Sequence, residues 1–406
     1  MLSPKSAETV RATLPAVAAV IGEITPLFYE KLFAAHPELL RDLFNRGNQA
    51  NGSQRQALAG SIATFARHLI EHPESRPDTM LARIAHKHAS LGVREDQYPV
   101  VRRHLFAAIA EVLGDAATDD VIQAWDEVYW LMAHALTAIE KRLHSQVGGP
   151  DGAVWRRYRV ASRFQETDEV ATFVLRPDDG EPVPPSRPGQ YLSVQVPLPD
   201  GARQIRQYSL SGWPDGGLQF SVKRVSGGPS GDPAGEVSTH LHEHVHEGGT
   251  LWVSAPFGEV VWDDGTGPLL LASAGIGCTP MIGMLSHLAM TGSPRRVLVA
   301  HADRAPRSHP FRTDLRQLID KLPDATCEVW YEEPGSGDGP RDGAPTDAAA
   351  PHSGLMDLTR TEIPAGTTAY LCGPVPFMKA VRAQLLASGV AAAAIHYEVF
   401  GPDLGM

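Results

Sequence analysis

A pair of histidines, His86 and His88, is the first place where this sequence could hold a metal. On a helix spanning residues 80–92, with about 100° per residue, His88 shares an apolar face with Leu81, Ile84 and Leu91, and His86 points nearly the opposite way. A histidine in the middle of an apolar stripe needs a partner inside the protein, and an iron atom is one candidate. An ordinary core or surface position is the alternative for each histidine before residue 148.

Polar residues on other predicted helices could complete a pocket around His88. Tyr29 lies among aromatic and aliphatic neighbours, and Tyr98 and Glu140 border the apolar stripes of two later helices. The run Ser53-Gln54-Arg55-Gln56 fits a capping box, so we expect Ser53 to start a helix. The inner face of that helix would carry Gln54, Leu58, Ile62, Phe65 and Leu69. By composition alone, these polar residues fit ordinary helix-edge positions equally well.

A second group of residues points to phosphate and ring binding. In the run Arg206-Gln207-Tyr208-Ser209, Arg206 and Tyr208 share one face if the segment is a strand. The preceding run Arg187-Pro188-Gly189-Gln190-Tyr191 leads into a neighbouring strand. Further along, Gly235-Glu236-Val237-Ser238-Thr239 runs into a predicted helix over 239–245, whose free N-terminal amides suit a pyrophosphate.

A third group follows predicted buried strands near the C-terminus. Residues 269–272 lead into Gly275-Ile276-Gly277-Cys278-Thr279-Pro280, a glycine motif that is weak by itself and ends in a proline tolerated in a first helical turn. Cys372-Gly373-Pro374 closes another strand, where Cys372 could contact a ligand or simply pack. After the strand over 296–300, the Asp303 carboxylate could accept a hydrogen bond from the ribose 2′-hydroxyl of NADH. Arg304 and Arg307 could instead bind the 2′-phosphate of NADPH. We expect NADH.

Three stretches of the sequence with different hydrophobic patterns must position these groups. Helical periodicity over residues 1–147 predicts an all-α domain. Short alternating runs over residues 153–264 predict an antiparallel β-barrel. Buried strands that alternate with helices over residues 267–406 predict an α/β domain with a parallel sheet. We interpret the glycine-rich segment 148–152 as a linker and the low-complexity segment 334–352 as a mobile loop remote from the chemistry.

Composition limits the classes of protein to consider. Hydrophobic residues make up 43% of the 406 residues and charged residues 20%, as in soluble globular proteins. The formal net charge of −11 argues against a nucleic-acid binder, and no apolar run is expected to reach the roughly 18–20 residues of a membrane span. Three scattered cysteines are too few for a disulfide framework, which favours a cytoplasmic protein.

The helical stretch resembles the globin domain of bacterial and yeast flavohaemoglobins. The segments that carry the resemblance are Phe28-Tyr29-Glu30-Lys31-Leu32-Phe33, His36-Pro37-Glu38-Leu39, Phe44-Asn45, Asn48-Gln49-Ala50-Asn51-Gly52 and Ile84-Ala85-His86-Lys87-His88. The resemblance implies that His88 is the proximal ligand of haem b and that Phe44 packs against the haem. It implies distal-pocket roles for Tyr29, Gln54 and Leu58, and hydrogen bonds to the proximal imidazole from Tyr98 and Glu140.

The rest of the chain resembles the ferredoxin-reductase-like module of the same family. There the resemblance implies that Arg206 pairs with an FAD phosphate, that Tyr208 packs on the isoalloxazine and that Ser209 reaches its N5 edge. It implies that residues 275–280 and 372–374 bind NAD(P)H, and that Glu398-Val399-Phe400 shields the flavin. The other flavin-binding residues it implies are Gln190, Tyr191, Gln207, Val237, Ser238 and Thr239.

The activity implied by the resemblance is conversion of nitric oxide and dioxygen to nitrate, with electrons passing from NADH or NADPH through FAD to haem. Two alternatives remain: a flavohaem alkyl-hydroperoxide or general reductase whose apolar distal pocket admits lipid, and a haem-based sensor or lipid-binding globin. The sensor is disfavoured because the chain carries a complete reductase. We expect a monomer without obligatory membrane association, since all three cofactor sites can be built within one chain.

Overall fold

The computed structural model describes residues 1–147, 154–228, 233–333 and 350–401. The predicted linker at 148–152 lies outside these residues, as does most of the predicted loop at 334–352. The described end of that loop is a correction, because a short strand begins at His352.

The first domain is helical, as predicted. Its helices are α1 (Pro4–Ala35), α2 (Pro37–Asp42), α3 (Arg46–Ala50), α4 (Ser53–Glu71), α5 (Asp78–Leu91), α6 (Tyr98–Leu113) and α7 (Asp119–Gln146). Helix α7 starts where the Thr118 side chain accepts a hydrogen bond from the Val121 amide, and acidic residues Asp119 and Asp120 occupy its first turn. Helix α4 does begin at Ser53, but the capping box was wrong: Gly52 is the N-cap with φ +77°, and the Ser53 hydroxyl donates to Asn51.

Helix α1 corrects the expectation about membrane-length segments. By length and composition it is the one helix of the described residues that could cross a membrane, because Glu23 is the only charged residue between Arg11 and Glu30. In this structure Val10, Val17, Ile24, Phe28 and Leu32 of α1 are buried in the helical core.

The second domain is a closed antiparallel barrel with strand order β1-β2-β5-β4-β3-β6. The strands are β1 (Trp155–Thr167), β2 (Val170–Pro177), β3 (Tyr191–Pro197), β4 (Arg203–Gly212), β5 (Leu218–Lys223) and β6 (Thr250–Ser254). Helix α8 (Glu236–His244) packs against this barrel. Alternation along the strands fills the interior with aliphatic and aromatic side chains.

The third domain is a parallel sheet with strand order β10-β9-β8-β7-β11-β12. Its elements are β7 (Leu269–Ala274), α9 (Cys278–Thr291), β8 (Val297–Asp303), α10 (Arg312–Asp320), β9 (Ala325–Tyr331), β10 (His352–Ser353), β11 (Thr368–Cys372), α11 (Val375–Ala387) and β12 (Ile395–Glu398). Helix α9 packs onto barrel strand β4 at Gly283, where a Cβ would lie 2.4 Å from the Leu210 carbonyl oxygen. The glycine therefore permits the close contact between these two domains.

Candidate functional site

His88 projects from α5 toward a buried acid on α7. Its Nδ1 lies 2.9 Å from Glu140 Oε1 and 3.1 Å from the Tyr98 hydroxyl, which itself donates to Glu140 Oε1 at 2.6 Å. Glu140 is only 3% exposed. Because a carboxylate can only accept, Nδ1 is the protonated ring nitrogen, and Nε2 is left as a ligand for a metal.

Tyr98 is held in its neutral, donating form. Burial raises its pKa far above the ordinary value, and the charge of Glu140 raises it further. The Tyr129 hydroxyl donates to the Tyr98 carbonyl at 2.7 Å, which joins α7 to the start of α6. The arrangement keeps both groups that contact the His88 imidazole in place.

Tyr29 of α1 lies in an aromatic group on the wall of a cavity that His88 also lines. Its ring stacks on Phe33 at 5.5 Å and meets Phe44 edge-on at 5.8 Å. Burial raises the pKa of Tyr29 well above its ordinary value, although the nearby side chains of Gln49 and Gln54 lower it. The phenol is therefore a neutral hydrogen-bond donor at any physiological pH.

Gln49 is a polar residue beside Tyr29 that the sequence interpretation did not single out. It lies on the short helix α3 and is 6% exposed. Its signal was present in the run Asn48-Gln49-Ala50-Asn51-Gly52, but a five-residue helix has too little periodicity to show which side chain faces inward.

A cavity of about 1980 Å³ reaches into the helical domain, and Glu140 lies behind His88 rather than on its wall. The predicted residues on its wall are Tyr29, Phe44, Gln54, Leu58, His88 and Tyr98. The cavity has an imidazole with Nε2 available, a phenol as a donor, and otherwise mainly aliphatic and aromatic walls. That donor set and lining fit a haem bound through His88.

His86 faces away from this cavity, as the helical periodicity predicted. Its Nδ1 accepts a hydrogen bond from the Gly258 amide at 3.0 Å, so it contacts the segment that follows the barrel. The two neighbouring histidines thus differ completely in their surroundings.

The same cavity continues to strand β4, where Arg206, Gln207, Tyr208 and Ser209 line it. The Arg206 guanidinium donates to Gln204 Oε1 at 3.3 Å and to the Ile205 carbonyl at 2.7 Å, and both acceptors are neutral. Burial lowers the pKa of Arg206. A half-buried cation on a cavity wall with neutral partners fits a phosphate.

A hydrogen-bond chain joins this strand to the helix that carries His88. Gln207 Nε2 donates to Ser193 Oγ at 3.0 Å, Ser193 Oγ to Ser90 Oγ at 2.9 Å, and Ser90 Oγ to the Lys87 carbonyl at 2.8 Å. Both serines are fully buried. Strand β4 is therefore connected to helix α5 through Ser193 of β3, which contacts the helix directly.

The two residues predicted just before β3 have different positions. Tyr191 is buried on the cavity wall, and burial raises its pKa well above the ordinary value. Gln190 instead holds its own turn, because its Oε1 accepts from the Arg187 amide at 2.7 Å. Of the two residues, Tyr191 lines the cavity and Gln190 does not.

Helix α8 begins earlier than predicted. It starts at Glu236 with Gly235 as N-cap, and the Thr239 amide already bonds the Gly235 carbonyl at 2.9 Å. Val237 and Ser238 line the cavity beside Gly235. The amides that remain for a pyrophosphate are therefore those of the first turn, Glu236 to Ser238, because the Thr239 amide already has a partner within the helix.

The glycine motif forms a tight turn between β7 and α9. Gly275–Gly277 is a single 3-10 turn, and Ile276 and Thr279 line the cavity. A Cβ at Gly277 would lie 2.3 Å from the Cys372 carbonyl oxygen, so this turn and the end of β11 approach as closely as backbone allows. Pro280 is buried in the first turn of α9.

Cys278 and Cys372 are both buried, and burial raises the pKa of each thiol. Cys372 is fully buried at the end of β11, and the turn Gly373-Pro374 leads from it into α11. Of the two alternatives for Cys372, this environment favours packing.

The C-terminal segment closes the cavity on the reductase side. Glu398 and Phe400 line it, and Phe400 is 49% exposed.

Lys87 of α5 lies on the same wall; burial lowers its pKa to about 8, although the charge of Glu398 raises it. Arg83 of α5 donates to Glu259 at 2.7 Å and to the Tyr397 carbonyl at 3.1 Å. Helix α5 therefore contacts all three domains.

The end of β8 differs from the expectation for a free ribose acceptor. The Asp303 side chain is 6% exposed, and its Oδ1 accepts from the Arg304 amide at 2.7 Å and the Ser308 hydroxyl at 2.6 Å. Arg304 and Arg307 are exposed, and they lie 3.4 Å from Glu169 and 3.6 Å from Glu333, respectively. The carboxylates of this surface, not Asp303 itself, face the solvent.

Comparisons with known proteins cover the whole chain. Residues 27–136 match the globin family and residues 271–383 match the oxidoreductase NAD-binding domain. A flavohemoprotein from Rhizobium meliloti is 43% identical over 100% of this chain and 99% of its own length, and one from Chromobacterium violaceum is 42% identical over 100% of both.

Comparison with solved structures also identifies flavohemoglobin-type proteins as similar to this chain. The crystal structure of flavohemoglobin from Malassezia yamatoensis, with bound FAD and heme, is similar with a TM-score of 0.88 and 36% identity, covering 98% of this chain and 100% of that one. The FAD/NAD-binding domain of nitric oxide dioxygenase from Vibrio cholerae is similar with a TM-score of 0.54 and 37% identity, covering 61% of this chain and 99% of that one.

Proposed function

The chain belongs to the flavohaemoprotein family, and on that premise we propose that it converts nitric oxide and dioxygen to nitrate with electrons from NADH. Each nitrate requires one electron, so one NADH supports two turnovers: two NO and two O2 with NADH give two nitrates, NAD⁺ and a proton. The observation that carries the proposal is the single cavity that joins His88 and Tyr29 to Arg206, Tyr208 and Ser209. One chain can thus bring an electron-supplying flavin to an oxygen-binding haem.

Haem b and FAD supply the electron transfer and the oxygen chemistry when bound. His88 would hold the haem iron through Nε2, and Glu140 and Tyr98 orient the ring. The buried charge of Glu140 makes the imidazole more electron-donating, which favours activation of dioxygen over its storage.

On the distal side, Tyr29 and Gln54 would bind and orient the substrate. The neutral Tyr29 phenol would donate a hydrogen bond to an acceptor with partial negative charge. Leu58 and Phe44 keep the surroundings apolar. Excluding water from this side strengthens that hydrogen bond.

In the reductase, Arg206 and the first-turn amides of α8 would hold the FAD phosphates. Tyr208 would pack on the isoalloxazine, and Ser209 would place its hydroxyl at the N5 edge. Ile276, Thr279 and the turn at Gly277 would position the nicotinamide coenzyme, with Phe400 covering the flavin until the coenzyme arrives.

We also propose that the enzyme works as a cytoplasmic monomer and prefers NADH. Its three cysteines are free thiols, and α1 is packed into the globin core rather than exposed as an anchor. At the end of β8, Asp168, Glu169 and Glu333 outnumber Arg304 and Arg307 around a small surface pocket, which disfavours the extra phosphate of NADPH.

A second candidate, reduction of lipid hydroperoxides, is supported by the apolar distal wall. The aliphatic and aromatic residues there include Leu39, Leu43, Phe44, Leu58 and Ile62, which could contact an acyl chain. Organic extraction of the purified protein, followed by mass spectrometry, tests whether lipid occupies the pocket.

Steady-state NADH oxidation distinguishes these functions. The dioxygenase requires both gases, produces nitrate, and consumes nitric oxide and NADH in a ratio of two to one. A peroxide reductase would oxidise NADH with cumene hydroperoxide in the absence of nitric oxide, and a sensor would show no sustained turnover with either substrate.

A further inference from the structure

Gln204 is a residue of β4 that lies between the barrel and the globin and is 0% exposed. Its Nε2 lies 3.2, 3.0 and 3.2 Å from the carbonyl oxygens of Leu40, Arg41 and Phe44, and its two N–H hydrogens are shared among these three acceptors. Its Oε1 accepts from the Arg46 amide at 3.2 Å. One carboxamide thus makes all of these contacts across the domain boundary.

Three of the four backbone groups that Gln204 contacts belong to helix ends, and the fourth, the Phe44 carbonyl, lies between α2 and α3. Leu40 and Arg41 are in the last turn of α2, and Arg46 is the first residue of α3. Carbonyls at a helix end and amides at a helix start lack partners within the helix, and leaving them buried without partners is costly. The corner that carries Phe44 is therefore held by a side chain of the other domain.

The same Oε1 also accepts from Arg206 at 3.3 Å. Arg206 is the cation that we place at the FAD phosphate, and Phe44 is the aromatic that meets Tyr29 edge-on. Gln204 therefore contacts both a residue of the flavin site and the backbone of a residue in the distal wall.

We propose that Gln204 is a positioning residue that couples FAD binding to the distal wall of the haem pocket. A phosphate bound to Arg206 fixes the guanidinium, the guanidinium fixes the Gln204 carboxamide, and the carboxamide fixes the Phe44 corner next to Tyr29. Coupling of this kind is reciprocal, so a ligand at the haem changes the affinity for FAD by the same factor. The inference rests on the FAD and haem sites of the proposed function, but not on nitric oxide turnover.

The test uses cyanide as a probe of the ferric haem in the full-length protein. Its dissociation constant is measured by absorbance with FAD bound and after FAD removal. We expect the two values to differ about fivefold or more in the wild type, within the usual range of coupling between sites. In Gln204→Met, which keeps the side-chain length but makes no hydrogen bonds, the two values should become equal.

Arg203→Ala is the matched control. Arg203 is the preceding residue of the same strand, and its exposed side chain pairs with Asp42 at 3.3 Å, between the same two segments. Because exposed ion pairs contribute little, this variant should keep the wild-type FAD dependence. If Gln204→Met does not fold, Gln204→Glu takes its place, since a carboxylate cannot donate to the three carbonyls and should also abolish the dependence.

Two results would overturn the proposal: equal cyanide affinities with and without FAD in the wild type, or a persistent difference in the Gln204 variants. The FAD dissociation constant, measured with and without cyanide, must change by the same factor in the wild type. Failure of nitric oxide turnover with this coupling intact would refute the proposed function alone, so the two failures are distinguishable.

Discussion

Glu140 and His88 are joined by a hydrogen bond of 2.9 Å between Oε1 and Nδ1, and the carboxylate is almost entirely buried. A charged acceptor that is removed from water acts strongly on the one ring nitrogen it contacts. Since Tyr98 donates to the same oxygen, the acid has two partners that fix its position.

Replacing Glu140 by Gln should therefore raise the reduction potential of the haem. The amide can keep a hydrogen bond to Nδ1 but carries no charge, so the ferric state loses stabilisation. Each 1.4 kcal/mol lost corresponds to about 59 mV for one electron. A spectroelectrochemical titration measures the shift. Tyr98→Phe, which leaves the charge in place, should move the potential less, and an unchanged potential in Glu140→Gln would refute the electronic role of the acid.

His88→Ala should abolish haem binding, whereas His86→Ala should retain it. The reason is that His88 faces the cavity, and His86 accepts a hydrogen bond from Gly258 at the domain boundary. The Soret absorbance per protein after reconstitution with haemin measures the difference. Equal loss in the two variants would contradict the assignment of the proximal ligand.

Tyr29→Phe should speed dioxygen release about ten- to a hundredfold, because a hydrogen bond to a charged group contributes about 1.5–3 kcal/mol. The ring and its contacts with Phe33 and Phe44 are kept, so the change isolates the hydroxyl. Stopped-flow dissociation after chemical reduction gives the rate. If the off-rate stays at the wild-type value, the hydroxyl serves only the local packing and its neighbouring glutamines.

Arg206→Ala should lower the FAD content of the purified protein, and Ser209→Ala should slow haem reduction by NADH while FAD is retained. Arg206 is a half-buried cation, and Ser209 is 5% exposed on the cavity wall. Haem reduction by dithionite should be unaffected in both. Normal FAD content in the first variant together with normal NADH-driven reduction in the second would remove both residues from the flavin site.

NADH should be preferred to NADPH by about tenfold or more in kcat/KM, equivalent to about 1.4 kcal/mol of binding. The acidic side chains near Arg304 and Arg307 repel an additional phosphate. Glu169→Gln removes the carboxylate 3.4 Å from Arg304 and should narrow the preference. A preference for NADPH in the wild type, or no change in the variant, would contradict this explanation.

Long periodic elements were the part of the fold that the sequence predicted well. The face of α5 that separates His88 from His86 follows from 3.6 residues per turn. On β4 the alternation does not separate the residues of the motif, because Arg206, Gln207, Tyr208 and Ser209 all line the cavity. The face on which a helical residue lies depends only on its spacing from residues a few positions away, so the sequence is enough to predict it.

The incorrect or missing predictions involve helix starts set by a glycine N-cap and a side chain whose partners are distant backbone groups. The capping box at Ser53 failed because Gly52, with φ +77°, is the N-cap, which makes Ser53 the first residue of the helix. The start of α8 likewise depends on Gly235 rather than on a side-chain cap. Gln204 has no periodic or motif signal, because its partners are backbone groups some 160 residues earlier in the chain. Tertiary contacts of this kind decide such positions.

The bond between Ser90 and Ser193 has a consequence for engineered recombination. Both hydroxyls are inaccessible to solvent, and each belongs to a different domain. A chimera that takes its globin from one parent and its reductase from another would inherit half of this contact from each. Without Ser90, the buried Ser193 hydroxyl would lose the acceptor for its proton; without Ser193, the Ser90 hydroxyl would keep only its bond to the Lys87 carbonyl. Crossover points should therefore be chosen so that residues 78–91 and the strand over 191–197 come from the same parent.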